Sequence, residues 1–142
     1  MRKIKSILLA LAILMAAQAK AQTNDTIQAN KWDRVMNAII AVESEGNPKA
    51  RNKKGDCAGI LQITKICVLE ANQILKRRKS TKRYTLKDRY NAEKSKEMFV
   101  LLQEHFNPEM NIEKVIKQWN CGFYGKWKNK SNAYYKKVLK YY

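Results

Sequence analysis

Two carboxylates, Glu43 and Glu45, stand two positions apart in AVESEGNPKA, residues 41–50. A carboxyl group in apolar surroundings can give a proton to a leaving oxygen, because lost hydration keeps it protonated near neutral pH. Helical spacing separates the two acids. Glu43 follows Ile40 by three positions, Ile39 by four and Met36 by seven, so it extends an apolar stripe. Glu45 lies roughly 200° round the same helix, at about 100° per residue. Glu43 is therefore the candidate general acid, with a pKa expected to be raised, and Glu45 reads as a solvated charge. The plainer reading of Glu43, an acid bonded to nearby backbone, fits poorly because the helix dipole disfavours an anion at a C-terminal end.

Other reactive side chains are few. Cys57, Cys67 and Cys121 make an odd number, which suggests one disulfide with a thiol left over and leaves three pairings open. The alternative is three small buried apolar residues. No CxxC or Cys/His spacing suggests a metal, and His105, the one histidine, reads as a surface or packing residue on a helical pattern. No cofactor is expected.

The elements that must position Glu43 follow from the pattern around it. Val35, Met36, Ile39, Ile40 and Val42 give a helix over 31–45, and Gly46, Asn47 and Pro48 end it. Residues 46–57 are rich in turn signals, and CAGILQI (57–63) is a short apolar run. A second helix is expected over 65–76, with Ile66, Leu69 and Ile74 as core candidates. Six of the eight residues 76–83 are Lys or Arg, which reads as a solvated loop or as a track for an anionic polymer. Ser95, Met98, Phe99, Leu102 and Phe106 mark an amphipathic helix over 91–106 that Pro108 closes. Ile112, Val115, Ile116 and Trp119 mark another, stopping at Gly122. Ser131 should N-cap a last helix whose Tyr135, Val138, Leu139 and Tyr142 face inward. The fold class is mostly α, with a small β-hairpin near 50–63.

Residues 1–21 read as a secretory signal peptide. Arg2, Lys3 and Lys5 precede an apolar block at 7–17 that is too short to span a bilayer, and Ala19-Lys20-Ala21 offers a cleavage site. A retained anchor is the alternative. Residues 22–142 then form one small exported domain, periplasmic or secreted, with no stable membrane insertion. The chain of 142 residues carries +17 formally, and losing the four basic residues of the leader leaves +13. Such a charge favours anionic partners, and export disfavours nucleic acid among them.

Four blocks of this sequence resemble one family. Glu43-Ser44-Glu45-Gly46-Asn47-Pro48 resembles the E-S-x-x-N-P signature of the soluble lytic transglycosylases, which share the goose-type lysozyme fold. Ala58-Gly59-Ile60-Leu61-Gln62-Ile63 is similar to their A-x-G-L-M-Q-I block, with Ala directly before Gly. Trp119-Asn120-Cys121-Gly122 is similar to A-Y-N-A-G, and Ser131, Tyr134 and Lys137-Val138-Leu139 to the closing helix. Together the blocks run in the family's order over nearly all of residues 22–142.

The resemblance implies a compact lysozyme-like domain acting on peptidoglycan glycan strands, at the β-1,4 bond between N-acetylmuramic acid and N-acetylglucosamine. It implies that Glu43 is the single general acid/base and that Ser44 supports the turn behind it. Gln62 and Asn120 would hold the sugar, and Tyr134 would contact the catalytic end. The product implied is a 1,6-anhydro ring. Attack by water would instead make the enzyme a lysozyme-type hydrolase, with Asp56, otherwise a turn residue, positioning that water. Because the family fold brings the 58–63 and 119–122 blocks together, the resemblance also implies a Cys57–Cys121 disulfide. Trp119 stands where the family has Tyr, and Cys121 where it has Ala.

Phe123, Tyr124 and Trp127 are candidates for stacking on sugar rings. A monomer is expected. Two other readings stand beside the enzyme: a non-catalytic cationic wall-binding or membrane-active protein, and an accessory that opens the wall for a secretion or conjugation apparatus.

Overall fold

A computed structural model describes residues 32–142. The expected signal peptide at 1–21 and the polar lead at 22–30 lie outside the described residues. Contacts group the chain into two units, Met1–Asp33 and Arg34–Tyr142. Of the first unit only Trp32 and Asp33 are described, and both are helical.

The helix that includes residues 32–43 (α1) ends where Glu45 and Gly46 turn left-handed, with φ of 54° and 82°. Val35, Met36 and Ile39 on it are buried. A two-stranded antiparallel hairpin follows, β1 (Cys57–Ala58) and β2 (Ile63–Thr64), with Cys57 opposite Thr64 and Ala58 opposite Ile63. Thr64 leaves the strand directly as the N-cap of α2 (Lys65–Arg77), its hydroxyl accepting from the Cys67 amide. A 3-10 turn (Leu86–Tyr90) leads into α3 (Ala92–Phe106), capped by the Asn91 side chain. Asn111 caps α4 (Ile112–Cys121) in the same way, and α5 (Asn132–Leu139) closes the described chain. Helix α2 packs on α3, and α4 on α5. The expected mostly α class, with one small hairpin, is what the structure shows.

Two inward faces differ from expectation. On α2, Ile66 and Leu69 are 68% and 54% exposed, while Val68, Ala71, Ile74 and Leu75 are buried. The helix carries two apolar rows, and the row that includes small Ala71 is the buried one, which suits close helix approach. On α5 only Val138 is buried, and Leu139 is exposed. The two tyrosines expected in the core accept cations instead: the Lys117 ammonium lies 5.4 Å from the Tyr135 ring centre, and the Arg34 guanidinium 4.3 Å from that of Tyr142. Part of the basic stretch has a local cause, since Lys76 and Arg77 occupy the last turn of α2 and complement its dipole. Arg78 and Lys82 pair with Glu104 and Glu97 on α3.

The hairpin is clamped from the 3-10 turn. The Arg89 guanidinium donates to the carbonyls of Asp56 (3.0 Å) and Ile63 (3.2 Å), and Ser95 Oγ donates to the Arg89 carbonyl (2.9 Å). Backbone meets backbone closely here: a Cβ on Gly59, whose φ is +77°, would lie 1.7 Å from the Arg89 carbonyl oxygen. Gly59→Ala should therefore cost roughly 2–4 kcal/mol of stability, from overpacking and the left-handed backbone together. Gly46→Ala meets nothing within 4 Å at φ +82° and should cost only about 1 kcal/mol. Denaturant unfolding of the two variants checks the difference, and equal costs would contradict the clamp.

Candidate active site

Glu43 occupies the last turn of α1, half-buried, and its Oε1 accepts a hydrogen bond from the Tyr134 hydroxyl at 2.6 Å. Burial raises the Glu43 pKa above its ordinary 4.5, while the Tyr134 hydrogen bond and the Lys137 ammonium pull it partly back. The Tyr134 phenol is itself pushed far above its ordinary range, by burial and by the adjacent Glu43. Tyr134 is thus a pure donor to Glu43. Because Oε1 holds that donor, Oε2 is the oxygen on which a transferable proton can sit. Glu45 is exposed and lines a different surface, an open depression of ≈ 490 Å³ formed with Asn37, Ile40, Ala41, Gly46 and Tyr141. The two acids are parted by the end of the helix rather than by helical spacing: Glu45 lies beyond α1 at φ 54°, and Ile40, expected on the Glu43 stripe, lines the Glu45 depression instead.

Ser44 reaches forward from the end of α1, its Oγ donating to the Ile60 carbonyl at 2.7 Å and accepting from the Gly46 amide at 3.2 Å. It fastens the Glu43 turn to the hairpin. Gln62 is half-buried with φ of 49°, and its amide nitrogen donates to the Gly59 carbonyl at 2.9 Å. Trp119 donates its indole N–H to the Leu61 carbonyl at 3.1 Å. The Trp119 ring therefore joins α4 to the same turn. Asn120 is exposed, and its Oδ1 accepts from Ser131 Oγ at 2.8 Å. Ser131 sits at the head of α5 in a left-handed conformation without capping the helix through its side chain. Its hydroxyl holds Asn120 rather than the helix amides.

The structure thus brings Glu43, Ser44 and Tyr134 into one bonded group with the 59–63 turn, while Asn120 joins α5 through Ser131. Among the stacking candidates, Phe123 packs on Phe106 with ring centres 4.7 Å apart. Tyr124 is exposed and donates to Glu70 at 2.9 Å, and Trp127 lines a small depression with residues 125–129. Asp56 is exposed, with its carbonyl taken by Arg89.

The expected Cys57–Cys121 bridge is not formed, as all three cysteines are free thiols. The hairpin sets Cys57 beside Thr64, which leads into the helix bearing Cys67, whereas Cys121 ends α4 with its thiol against the Gly122 carbonyl.

Sequence reasoning missed three supporting residues. Arg89 carried no local signal, because its partners lie 26 and 33 positions away. Lys137 acts on Glu43 through space. Lys117 is almost fully buried and donates to the Lys128 carbonyl at 2.7 Å while pairing with Glu113. The Glu113-to-Lys117 spacing of four was its visible signal.

A raised pKa means that the folded state holds the Glu43 proton more tightly than the unfolded chain does. Glu43 is therefore unstrained below about pH 4.5, the unfolded value, and costs stability as pH rises through the folded value. Glu43→Gln should match the wild type in acid and exceed it in stability at pH 7–8. Melting curves at both pH values check this, and a variant less stable at neutral pH would contradict it. Tyr134→Phe removes a donor to the carboxylate, so the Glu43 pKa should rise further, as read by carboxyl NMR titration.

Comparison with curated proteins gave no match, and comparison with solved structures gave none. A family model does match: residues 16–141 fit the one described as the transglycosylase SLT domain. The match spans most of the chain and includes Glu43, Ser44, Gln62, Asn120 and Tyr134, so the chain belongs to the SLT family of lytic transglycosylases, which act on peptidoglycan.

Proposed function

We propose that this protein is an exported lytic transglycosylase that cleaves the β-1,4 bond between N-acetylmuramic acid and N-acetylglucosamine, with Glu43 as single general acid/base. The observation that carries the reading is the half-buried Glu43 carboxyl with Tyr134 on Oε1 and a raised pKa. A protonated Oε2 gives its proton to the glycosidic oxygen as the bond to the anomeric carbon breaks. The substrate's own N-acetyl group stabilises the oxocarbenium-like centre, the place a second carboxylate fills in most glycosidases.

The Glu43 anion left behind is stabilised by the Tyr134 hydroxyl and the Lys137 ammonium, which favour the charged form. That anion then takes the proton from the sugar's 6-hydroxyl as its oxygen closes the 1,6-anhydro ring. One proton leaves and one returns, and no water is consumed. Gln62 and Asn120 hold the sugar in this reading, with Ser44 keeping the Glu43 turn on the hairpin. The basic excess of the chain steers it to an anionic wall, and residues 1–21 direct its export.

Purified peptidoglycan digested with the protein and analysed by mass spectrometry tests the proposal. Anhydro-muropeptides should appear, and Glu43→Gln should lower their yield by about 10²–10⁴-fold. Reducing ends in their place would make the enzyme a hydrolase. Wall binding without cleavage by the folded wild type would leave a binding protein.

A further inference from the structure

Cys57 and Cys67 flank one side chain. In the antiparallel pair Cys57 stands directly opposite Thr64, and opposed residues project to the same face with Cβ atoms about 4.5–5.5 Å apart. The Thr64 hydroxyl in turn lies 3.3 Å from Cys67 Sγ and 3.2 Å from the Cys67 amide. Thr64 thus stands between the two cysteines, paired with Cys57 across the ladder and bonded through its hydroxyl to Cys67. Both cysteines are only half-buried, so an oxidant reaches them without opening the core. Cys67 is among the groups whose charge acts on Cys57, and Cys121 is not.

We propose that Cys57 and Cys67 are a disulfide-forming pair, closed by thiol–disulfide exchange with a small-molecule or protein disulfide, and that Cys121 remains a free thiol. Burial and the neighbouring Glu43 hold the Cys57 thiol above its ordinary range, which makes it the poorer first nucleophile. The Cys67 thiolate attacks the incoming disulfide and releases one thiol. The Cys57 thiolate then attacks the mixed disulfide and releases the second. Two cysteine protons are lost, the protein sulfurs are oxidised, and the incoming disulfide is reduced to two thiols.

The bridge would tie β1 to the first turn of α2, fixing the strand whose Cys57 lies within electrostatic reach of Glu43. Its formation in the cell rests on the proposed export, since exported chains meet oxidising surroundings. The chemistry itself does not.

The test is a peptide map of the purified protein after equilibration with excess glutathione disulfide, alkylation and trypsin digestion. Cleavage after Lys54, Lys65 and Lys76 puts Cys57 in peptide 55–65 and Cys67 in peptide 66–76, so a bridge joins two otherwise separate peptides. The expected result is that joined pair, a Cys121 peptide carrying only the alkyl label or glutathione and no other peptide of the protein, and the same joined pair from Cys121→Ser. Cys57 and Cys67 each alkylated or carrying glutathione, or either of them bridged to Cys121, would overturn the proposal. Glycan cleavage measured on the same preparation keeps the two ideas apart. A chain that cuts glycan with three free thiols sinks only the pair, and one that forms the bridge without cutting sinks only the enzyme.

Discussion

A carboxylate in the last turn of a helix meets the negative end of the helix dipole, and half-burial takes away the water that would offset it. Glu43 suffers both, and the Tyr134 hydroxyl, donating at 2.6 Å, relieves it. Much of the chain serves to deliver that hydroxyl. Tyr134 rides on α5, which lies on α4, and Lys117 and Ser131 link those elements and the segment between them. The interaction is balanced between two needs. Burial favours the protonated acid and Tyr134 favours the anion, so neither form is out of reach.

The second constraint is backbone bonding in the turn between the strands. The carbonyls of Gly59, Ile60, Leu61 and Ile63 each accept a side-chain donor: Gln62, Ser44, Trp119 and Arg89 in turn. Three of those donors arrive from α1, α4 and the 3-10 segment. A short turn that would otherwise leave polar backbone unpaired becomes the point where three separate elements are held in register. Gly59 permits it, because any side chain there would collide with Arg89.

Much of this was legible before any coordinates. The stripe of Met36 and Ile39, both buried, pointed to Glu43 as the half-buried acid, and the four blocks of family resemblance named the fold. What escaped was of two kinds. The inward rows of α2 and α5 were misread because Ile66, Leu69 and Leu139 are as apolar as the residues that are actually buried, and periodicity cannot choose between two apolar rows on one helix. The clamp by Arg89 was invisible because it depends on carbonyl groups, which carry no sequence signature, and the Glu113-to-Lys117 spacing pointed to an ion pair but not to the burial of Lys117 or its bond to the Lys128 carbonyl. The Cys57–Cys121 pairing came from block proximity, and proximity of two blocks does not align two particular side chains.

Only Val138 of α5 is buried, and the bond it supports joins residues 91 positions apart. Such a helix belongs to the low-stability end of a structure, where segments open locally while the core stays closed. Closing a loop of that length also carries an entropic cost that the single contact must offset. Warming or mild denaturant would therefore detach Tyr134 while α2 and α3 remain packed. The Glu43–Tyr134 pair would melt as its own unit, ahead of the domain that bears it.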